Sequence, residues 1–278
     1  MGAAPGGLMR ASDFAYLDQP TPVGLAHRGG AAYGPNRGFE NTLAAFRRAV
    51  DMGYRYVETD VHATRDGQLV AFHDKVLDRV SDSRGAIETL AYDAVREARV
   101  GGTEPIPLLA ELFEEFPDVR VNIDIKSDSA VEPTVREVLR HGATERVCIG
   151  SFSERRLRAA RAALGPRVAT AAGEVGTAVL RFTPAALSRL LHTPAPVFQI
   201  PALHRLPGRT ITLVTPGLVR RAHDLGKHVH VWFHSWSRED AAEMHRLLDL
   251  GADGIVTDHI DVLRDVLAER GHPLTPAA

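Results

Sequence analysis

The residues of this sequence best suited to chemistry stand at or near the ends of short β-branched runs. Glu58 and Asp60 are two positions apart, which points both side chains of a strand to the same face. Asp124 and Lys126 repeat that spacing. The whole set comprises two histidines, three carboxylates, an arginine and a lysine: His27, His73, Glu58, Asp60, Asp124, Arg28 and Lys126.

This combination of side chains suits a phosphodiester. Three carboxylates without a cysteine form an oxygen-donor set, which favours Ca²⁺, Mg²⁺ or Mn²⁺ over zinc. An arginine fork adds bidentate recognition of phosphate, and a lysine adds a point charge. Two histidines can serve as acid and base, one activating an oxygen nucleophile and the other protonating the departing alkoxide. The pattern therefore predicts metal-assisted cleavage of a phosphodiester.

The elements that must position these residues alternate between β-branched runs and amphipathic stretches. Strands are predicted at residues 23–27, 55–61, 69–73, 119–126, 146–152, 168–172, 197–201, 228–233 and 254–258. Helices are predicted at residues 41–52, 108–116, 131–141, 154–164, 177–191, 216–225, 238–250 and 261–269, with Ser153 and Ser237 among the capping residues.

These elements predict an α/β fold, a single-domain (β/α)₈ TIM barrel, in which chemistry lies at the C-terminal ends of the strands. Residues 55–61 and 69–73 are too close for a helix between them, so one of the two is an extra strand or an extension. An open doubly wound sheet is disfavoured because no G-x-G-x-x-G turn follows the first strand.

Composition removes several classes of protein. The 278 residues carry a formal net charge of −2, which argues against binding to nucleic acid or to an anionic membrane. Cys148 is the single cysteine, so a disulfide scaffold and a thiolate metal site are excluded, and we interpret Cys148 as a buried strand residue. No apolar run approaches the roughly 18 residues that span a bilayer.

The ends of the chain carry no targeting pattern. Residues 1–22 lack a basic start followed by an apolar run and are interpreted as a loose N-terminal arm. The barrel is assigned to residues 23–270, and residues 271–278 to a frayed C-terminal tail. We therefore expect a cytoplasmic protein with a small-molecule partner and no stable membrane association; the oligomeric state is unknown.

Five motifs in this order carry a resemblance to a known family. They are GLAHRG at 24–29, ENT at 40–42, VETDV at 57–61, TRDG at 64–67 with FHD at 72–74, and GIVTD at 254–258. Together they resemble the glycerophosphodiester phosphodiesterases, over residues 23 to 263. The resemblance implies a TIM barrel that hydrolyses glycerophosphodiesters to glycerol phosphate and an alcohol with a bound divalent ion.

The resemblance also implies roles for individual residues. His27 and His73 correspond to the acid–base pair and Arg28 to the phosphate ligand. Glu58 and Asp60 correspond to two metal ligands. Position 124 departs from the family, which usually has glutamate there, so the shorter Asp124 coordinates directly or through a water. Lys126 matches and is expected to balance charge near the phosphate.

The predicted substrate pocket departs from the family in part. Trp232 is kept, but Phe233, His234 and Ser235 replace a threonine, a small apolar residue and an asparagine. Phe152 matches an aromatic residue of the family pocket, and Gln199 is placed on the same rim. The identity of the alcohol is therefore left open.

Two other functions remain open from the sequence. One is a phospholipase-D-like barrel enzyme acting on lysophospholipids, and the other is a non-catalytic barrel that binds phosphate esters. The nucleophile is either water or the neighbouring hydroxyl of the substrate. Four further residues are given structural roles: Glu40 supports the site, His62 lies in a loop or supports the site, Asp258 is a loop residue that supports the fold, and His230 is a surface or hydrogen-bonded barrel histidine.

Overall fold

A computed structural model describes residues 9–183 and 193–276. Its main sheet contains eight parallel strands: β1 (Val23–His27), β2 (Tyr56–Ala63), β6 (Arg120–Ile125), β7 (Val147–Gly150), β8 (Ala169–Thr170), β9 (Val197–Pro201), β12 (His228–Trp232) and β13 (Gly254–Thr257). Their order is β8-β7-β6-β2-β1-β13-β12-β9, and a single parallel bridge between Ala171 and Val197 joins the two ends. The sheet is therefore a barrel, as predicted.

The extra strand predicted from the sequence is the run after β2. Strand β3 (Leu69–Ala71) is antiparallel to β2, with Val61 opposite Ala71 and Ala63 opposite Leu69, and lies off the barrel path. Two short hairpins were not predicted: β4 (Arg99–Val100) with β5 (Glu104–Pro105), and β10 (Leu203–Leu206) with β11 (Arg209–Thr212).

Nine described α-helices lie along the chain: α1 (Leu43–Asp51), α2 (Tyr92–Val95), α3 (Leu109–Glu115), α4 (Val131–Arg140), α5 (Glu154–Leu164), α6 (Glu174–Phe182), α7 (Pro216–Asp224), α8 (Ala241–Asp249) and α9 (Ile260–Glu269). All eight predicted helices have counterparts, and α2 is additional. The predicted helix 177–191 overlaps α6, and its residues 184–191 lie outside the described residues.

Side-chain caps fix where several helices begin. The Thr42 hydroxyl accepts a hydrogen bond from the Ala45 amide at 3.2 Å, which satisfies one free donor of α1. Ser153 caps α5, as predicted. The prediction for Ser237 is wrong, because Asp240 caps α8 and the Ser237 hydroxyl instead donates to the carbonyl of His234. A carboxylate is the stronger partner for the positive end of a helix.

The described part of the N-terminal arm is packed, not loose. Two 3₁₀ turns, Ala11–Asp13 and Ala15–Leu17, place Phe14, Tyr16 and Leu17 in a buried cluster with side chains from the barrel strands. Tyr16 is 1% exposed and meets the ring of Tyr56 edge-on, with 5.2 Å between centroids. The arm therefore closes the N-terminal end of the barrel.

Polar contacts hold the arm in this position. The Tyr56 hydroxyl donates to the Tyr16 carbonyl at 2.7 Å, and Arg120 pairs with Asp18 at 2.5 Å. The ammonium of Lys227, buried at 1% exposure, donates to the carbonyls of Met9 and Thr193. At the other terminus, Leu274 packs against the main core, so the predicted tail is partly packed as well.

One pair of barrel residues is matched in size. His230 on β12 lies opposite Gly254 on β13 and is fully buried. A Cβ at Gly254 would lie 2.8 Å from Cδ2 of His230, closer than real Cβ contacts allow. Both ring nitrogens of His230 are without a hydrogen-bond partner among the described residues.

Candidate active site

His27 stands at the end of β1, between two carboxylates. Its Nδ1 lies 2.9 Å from Oδ1 of Asp258, and its Nε2 lies 3.7 Å from Oε2 of Glu58. Burial opposes protonation of the ring, but Asp258 and Glu58 outweigh it and raise the pKa of His27 to about 9. The imidazole is thus held at both nitrogens by negative charge.

The turn after β1 brings Arg28 over the same carboxylates. Arg28 has a φ of +50°, in the left-handed region, and its backbone amide donates to Glu58 Oε2 at 3.2 Å. Gly29 follows at φ +84°, where a Cβ would lie 2.8 Å from that of Ala45. This close approach of the turn after β1 to α1 explains why the last residue of the GLAHRG motif is glycine.

The guanidinium of Arg28 faces two acids. Its Nε lies 3.1 Å from Asp60 Oδ2, an ion pair without hydrogen-bond geometry, and its Nη1 lies 3.4 Å from Glu40 Oε1. Burial favours a neutral arginine, but the neighbouring carboxylates raise the pKa of Arg28 above its ordinary value. A buried cation with little competing water is well suited to binding an anion.

Lys126 connects two of the predicted metal ligands. Its Nζ lies 2.7 Å from Oδ1 of Asp60 and 2.7 Å from Oδ2 of Asp124. Asp60 and Asp124 lie opposite each other on β2 and β6, so the ammonium fits between them. The second oxygen of Asp124, Oδ1, is buried and without a hydrogen-bond partner among the described residues.

The two carboxylates of β2 titrate in opposite directions. Burial and the neighbouring Asp60 raise the pKa of Glu58 to about 7. Asp60 is as deeply buried, but Lys126 and Arg28 hold its pKa below the ordinary value. Asn41 adds a hydrogen bond from its Nδ2 to Asp60 Oδ2 at 3.2 Å. Of this buried pair, Glu58 therefore binds a proton more readily, whereas Asp60 stays ionised.

His73 lies in the loop after β3 and has its own acidic partner. Its Nδ1 lies 2.6 Å from Oδ1 of Asp74, and Arg79 bonds that aspartate through Nε at 2.6 Å. Arg79 also donates to both oxygens of Glu40, which in turn faces Arg28. These ion pairs therefore connect the loop after β1 with the loop after β3.

Aromatic residues form one wall of the mouth. Phe152, 60% exposed, meets Trp232 edge-on with 6.2 Å between centroids, and Lys126 Nζ lies 5.8 Å from the Phe152 ring. Trp232 also contacts His234 at 4.5 Å between centroids. Phe152 and Trp232 are thus brought together with Lys126, as expected for a shared pocket.

Gln199 is engaged inside the barrel. Its Nε2 donates to Oδ1 of Asn122 at 3.0 Å, and its backbone lies opposite His230 in the middle of the strands. Asn122 in turn lies opposite Glu58. The side chain therefore crosses the barrel interior at the level of Glu58. Its described hydrogen bond is made to Asn122 inside the barrel and not at the outer rim.

The three predicted metal ligands share one mouth, but they do not form a preassembled cage. Within residues 9–183 and 193–276, no group of three or more His, Cys, Asp or Glu side chains is arranged to hold a metal ion. Lys126 stands between Asp60 and Asp124, and Glu58 turns towards His27. The donor set nevertheless fits a hard divalent cation, because all donors are oxygens and Oδ1 of Asp124 has no hydrogen-bond partner within the described residues.

The contacts of several supporting residues were not evident from the sequence. Asn41 lies in the ENT motif, at φ +59°. Its side chain donates a hydrogen bond to Asp60 and accepts one from the Thr59 hydroxyl. Asp258, interpreted as a loop residue, directly contacts His27. Glu239 accepts from the Thr257 hydroxyl at 2.5 Å and from the Asp258 amide at 2.8 Å. Only Asn41 and Asp258 carried a sequence signal, their place within a motif.

Cys148 is buried, as interpreted from the sequence, and His62 is buried as well. Cys148 is fully buried within the barrel, and burial raises the pKa of its thiol above the ordinary value. His62 lies on β2 and not in a loop; its ring Nε2 is 3.2 Å from the carbonyl oxygen of His73. It therefore supports the loop that carries His73.

Comparison with known proteins places this geometry in context. Residues 27–262 match the glycerophosphoryl diester phosphodiesterase family. The chain is 42% identical over 251 residues to Probable glycerophosphodiester phosphodiesterase 2 of Mycobacterium tuberculosis, covering 90% of this chain and 92% of that protein. It is 30% identical over 275 residues to lysophospholipase D GDPD1 of Homo sapiens, covering 87% and 85%.

Solved structures share the fold. A glycerophosphodiester phosphodiesterase from Agrobacterium tumefaciens aligns with a TM-score of 0.68 at 23% identity, covering 86% of this chain and 98% of that one. A phosphodiesterase from Oleispira antarctica in complex with the product sn-glycerol-3-phosphate aligns with a TM-score of 0.71 at 23% identity, covering 89% and 97%. None of the described helices has the length and apolar character needed to span a bilayer.

Proposed function

The chain belongs to the glycerophosphoryl diester phosphodiesterase family and is a phosphoric diester hydrolase, and from that premise we propose that it releases glycerol phosphate and an alcohol through His27 and His73. The observation that carries this proposal is the arrangement of His27, Arg28 and Lys126 around Glu58 and Asp60. Two cations and a histidine there face the same buried carboxylates. The family assignment favours a catalytic barrel over a non-catalytic one.

The two histidines are prepared for proton transfer in the same way. Nδ1 of His27 faces Asp258, and Nδ1 of His73 faces Asp74. Each carboxylate favours a proton on Nδ1 and leaves Nε2 for proton exchange with the substrate. One Nε2 takes the proton of the attacking oxygen, and the other gives a proton to the departing alkoxide.

The phosphate is bound and oriented by Arg28 and Lys126. The guanidinium offers two parallel donors to the phosphate oxygens, and the ammonium adds a point charge. Both are held by carboxylates and are therefore in place before substrate arrives. Glu58, Asp60 and Asp124 would hold a divalent cation, which supplies charge stabilisation to the phosphoryl oxygens when bound.

A direct assay tests this proposal. The purified protein is incubated with glycerophosphocholine, with and without a chelator, and glycerol phosphate is measured. We expect release that requires the divalent ion and that falls by about 10²-fold or more in His27→Ala and in His73→Ala. Partly exposed His245, which pairs with Glu269, provides the matched control His245→Ala. Unchanged turnover in both site variants would refute the assignment.

Lysophospholipids are the second candidate substrate. The 30% identity to a protein named lysophospholipase D supports this class, as does the exposed aromatic Phe152 at the mouth. Lysophosphatidylcholine is therefore included in the same assay. A higher kcat/KM on lysophosphatidylcholine than on glycerophosphodiesters would select this candidate.

A further inference from the structure

A cavity of about 400 Å³ opens beside the site and has no assigned role in the reaction. All of the described residues that line it carry polar side chains, among them His62, Lys75, Glu88, Lys126 and Ser127. Its volume lies within the range of pockets that enclose a small organic ligand. Lys75 and Lys126 are two of the three lysines of the chain.

The cavity is continuous with the proposed phosphate site. Lys126 lines it and also bonds Asp60 and Asp124. His62 lines it as well, with its ring bonded to the His73 carbonyl. The cavity therefore lies on the His73 side of the mouth, where one arm of a bound diester would extend from the phosphate.

Most of the charge in the cavity is already neutralised. Lys126 is paired with two aspartates, and Arg156 bonds Asp128 at 2.7 Å and the carbonyls of Ile125 and Lys126. Lys75 and Glu88 differ, because their side chains make no hydrogen bond or ion pair within the described part of the chain.

The backbone holds Lys75 and Glu88 near each other. The amide of Ile87, the residue before Glu88, donates to the carbonyl of Lys75 at 3.0 Å. A strong donor and a strong acceptor therefore stand at one rim of a polar cavity. Such a pair matches a ligand group that both donates and accepts hydrogen bonds, which is the property of a hydroxyl.

We propose that this cavity is the subsite for the leaving alcohol, that it selects hydroxyl-rich alcohols of the inositol or glycerol type, and that Lys75 and Glu88 determine this specificity. The proposal rests on the proposed function. An acyl chain needs an apolar wall, and a quaternary ammonium group is best held by aromatic faces. The described lining of the cavity offers neither.

Specificity constants test the subsite. We compare kcat/KM for glycerophosphoinositol and glycerophosphocholine in the wild type, Lys75→Met and Glu88→Gln, with Glu97→Gln, at an exposed position, as the control. We expect the wild type to prefer the inositol diester. Each subsite variant loses about tenfold on the inositol diester, which corresponds to one charge-assisted hydrogen bond, and stays within about twofold on the choline diester.

The outcomes separate the subsite from the reaction. An equal loss on both diesters would assign the cavity to the shared glycerol arm and overturn the proposal, as would no loss on either. Calorimetric titration of both diesters into His73→Ala, with and without Lys75→Met, gives a readout independent of turnover. If the protein prefers the inositol diester in binding, in a way that depends on Lys75, but turns over neither diester, the subsite is retained and only the reaction is rejected. If it turns over both diesters without such a preference, the subsite is rejected.

Discussion

Nδ1 of His27 lies 2.9 Å from Oδ1 of Asp258, although the two residues are 231 positions apart in the sequence. Strands β1 and β13 are parallel neighbours, with Ala26 opposite Thr257. The residues that follow these two, His27 and Asp258, therefore lie side by side at the ends of the strands. Closing the barrel therefore supplies the partner of this histidine.

Asp258→Asn should lower kcat by about tenfold or more while KM changes little. The amide keeps the size of the side chain but removes the charge that favours a proton on Nδ1, so the ring loses its orientation and tautomer. The pKa of His27, raised to about 9 by Asp258 and Glu58, should fall as well. Steady-state kinetics and NMR titration of the ring measure both effects.

Asp265→Asn is the control, since Asp265 pairs only with Arg264 on the outer surface of α9 within the described contacts. An Asp258→Asn variant with wild-type kcat and an unaltered His27 titration would contradict the positioning role.

Asp124→Asn should weaken binding of a divalent cation by at least about tenfold, and more than it alters folding stability. Asp124 has one buried oxygen without a described partner, which the substitution turns into a weaker ligand or a donor. Calorimetric titration with Ca²⁺, Mg²⁺ and Mn²⁺ measures the affinity, and metal-free unfolding measures the stability. Asp265→Asn again serves as the control, and superimposable titration curves of Asp124→Asn and wild type would reject a ligand role.

Tyr16→Ala should lower the free energy of unfolding by about 3–5 kcal/mol, because it opens a cavity at the closed end of the barrel. Tyr16→Phe should change it little, since the Tyr16 hydroxyl is buried without a described partner. Urea unfolding of both variants distinguishes ring packing from hydrogen bonding. A loss below about 1 kcal/mol in Tyr16→Ala would mean that the arm is not part of the folded core.

Acid should destabilise the protein through His230. Burial lowers the pKa of His230 to about 3, against an ordinary value of 6.5. Between these values the unfolded chain binds a proton that the folded chain does not, so stability falls as pH falls, by up to about 1.4 kcal/mol per pH unit. Above pH 6.5 this residue contributes no slope.

The matched measurement is urea unfolding of wild type and His230→Leu at pH 7.5 and pH 5. The variant lacks the titrating group, so its stability relative to wild type should rise by about 2 kcal/mol on going to pH 5. An identical difference at both pH values would exclude His230 as a source of acid sensitivity.

Local patterns were enough to predict the barrel and the residues at its mouth. Strands β1 and β9 and helix α5 have the predicted bounds, because β-branched runs and helical periodicity are short-range signals. His27 and Glu58 of the motifs and Lys126 after β6 meet at one mouth because parallel strands end on the same side.

What could not be predicted depends on distant contacts. Tyr16 showed no periodicity, since its packing on Tyr56 follows from 3₁₀ turns at the end of the barrel. Lys126 was expected near the phosphate, but its bonds to both Asp60 and Asp124 depend on the register of β2 with β6.

The β10–β11 hairpin did carry a local signal, the Pro207-Gly208 turn between its strands.

The size match of His230 and Gly254 makes their evolution interdependent. A methyl group at position 254 would lie 2.8 Å from Cδ2 of His230 and 2.9 Å from Cγ2 of Val23, so space for it must open at both positions. Gly254→Ala is thus disfavoured as a first step, and smaller side chains at positions 230 and 23 would have to come before it. The order in which substitutions can accumulate inside this barrel is set by when the two strands that flank β13 give up volume.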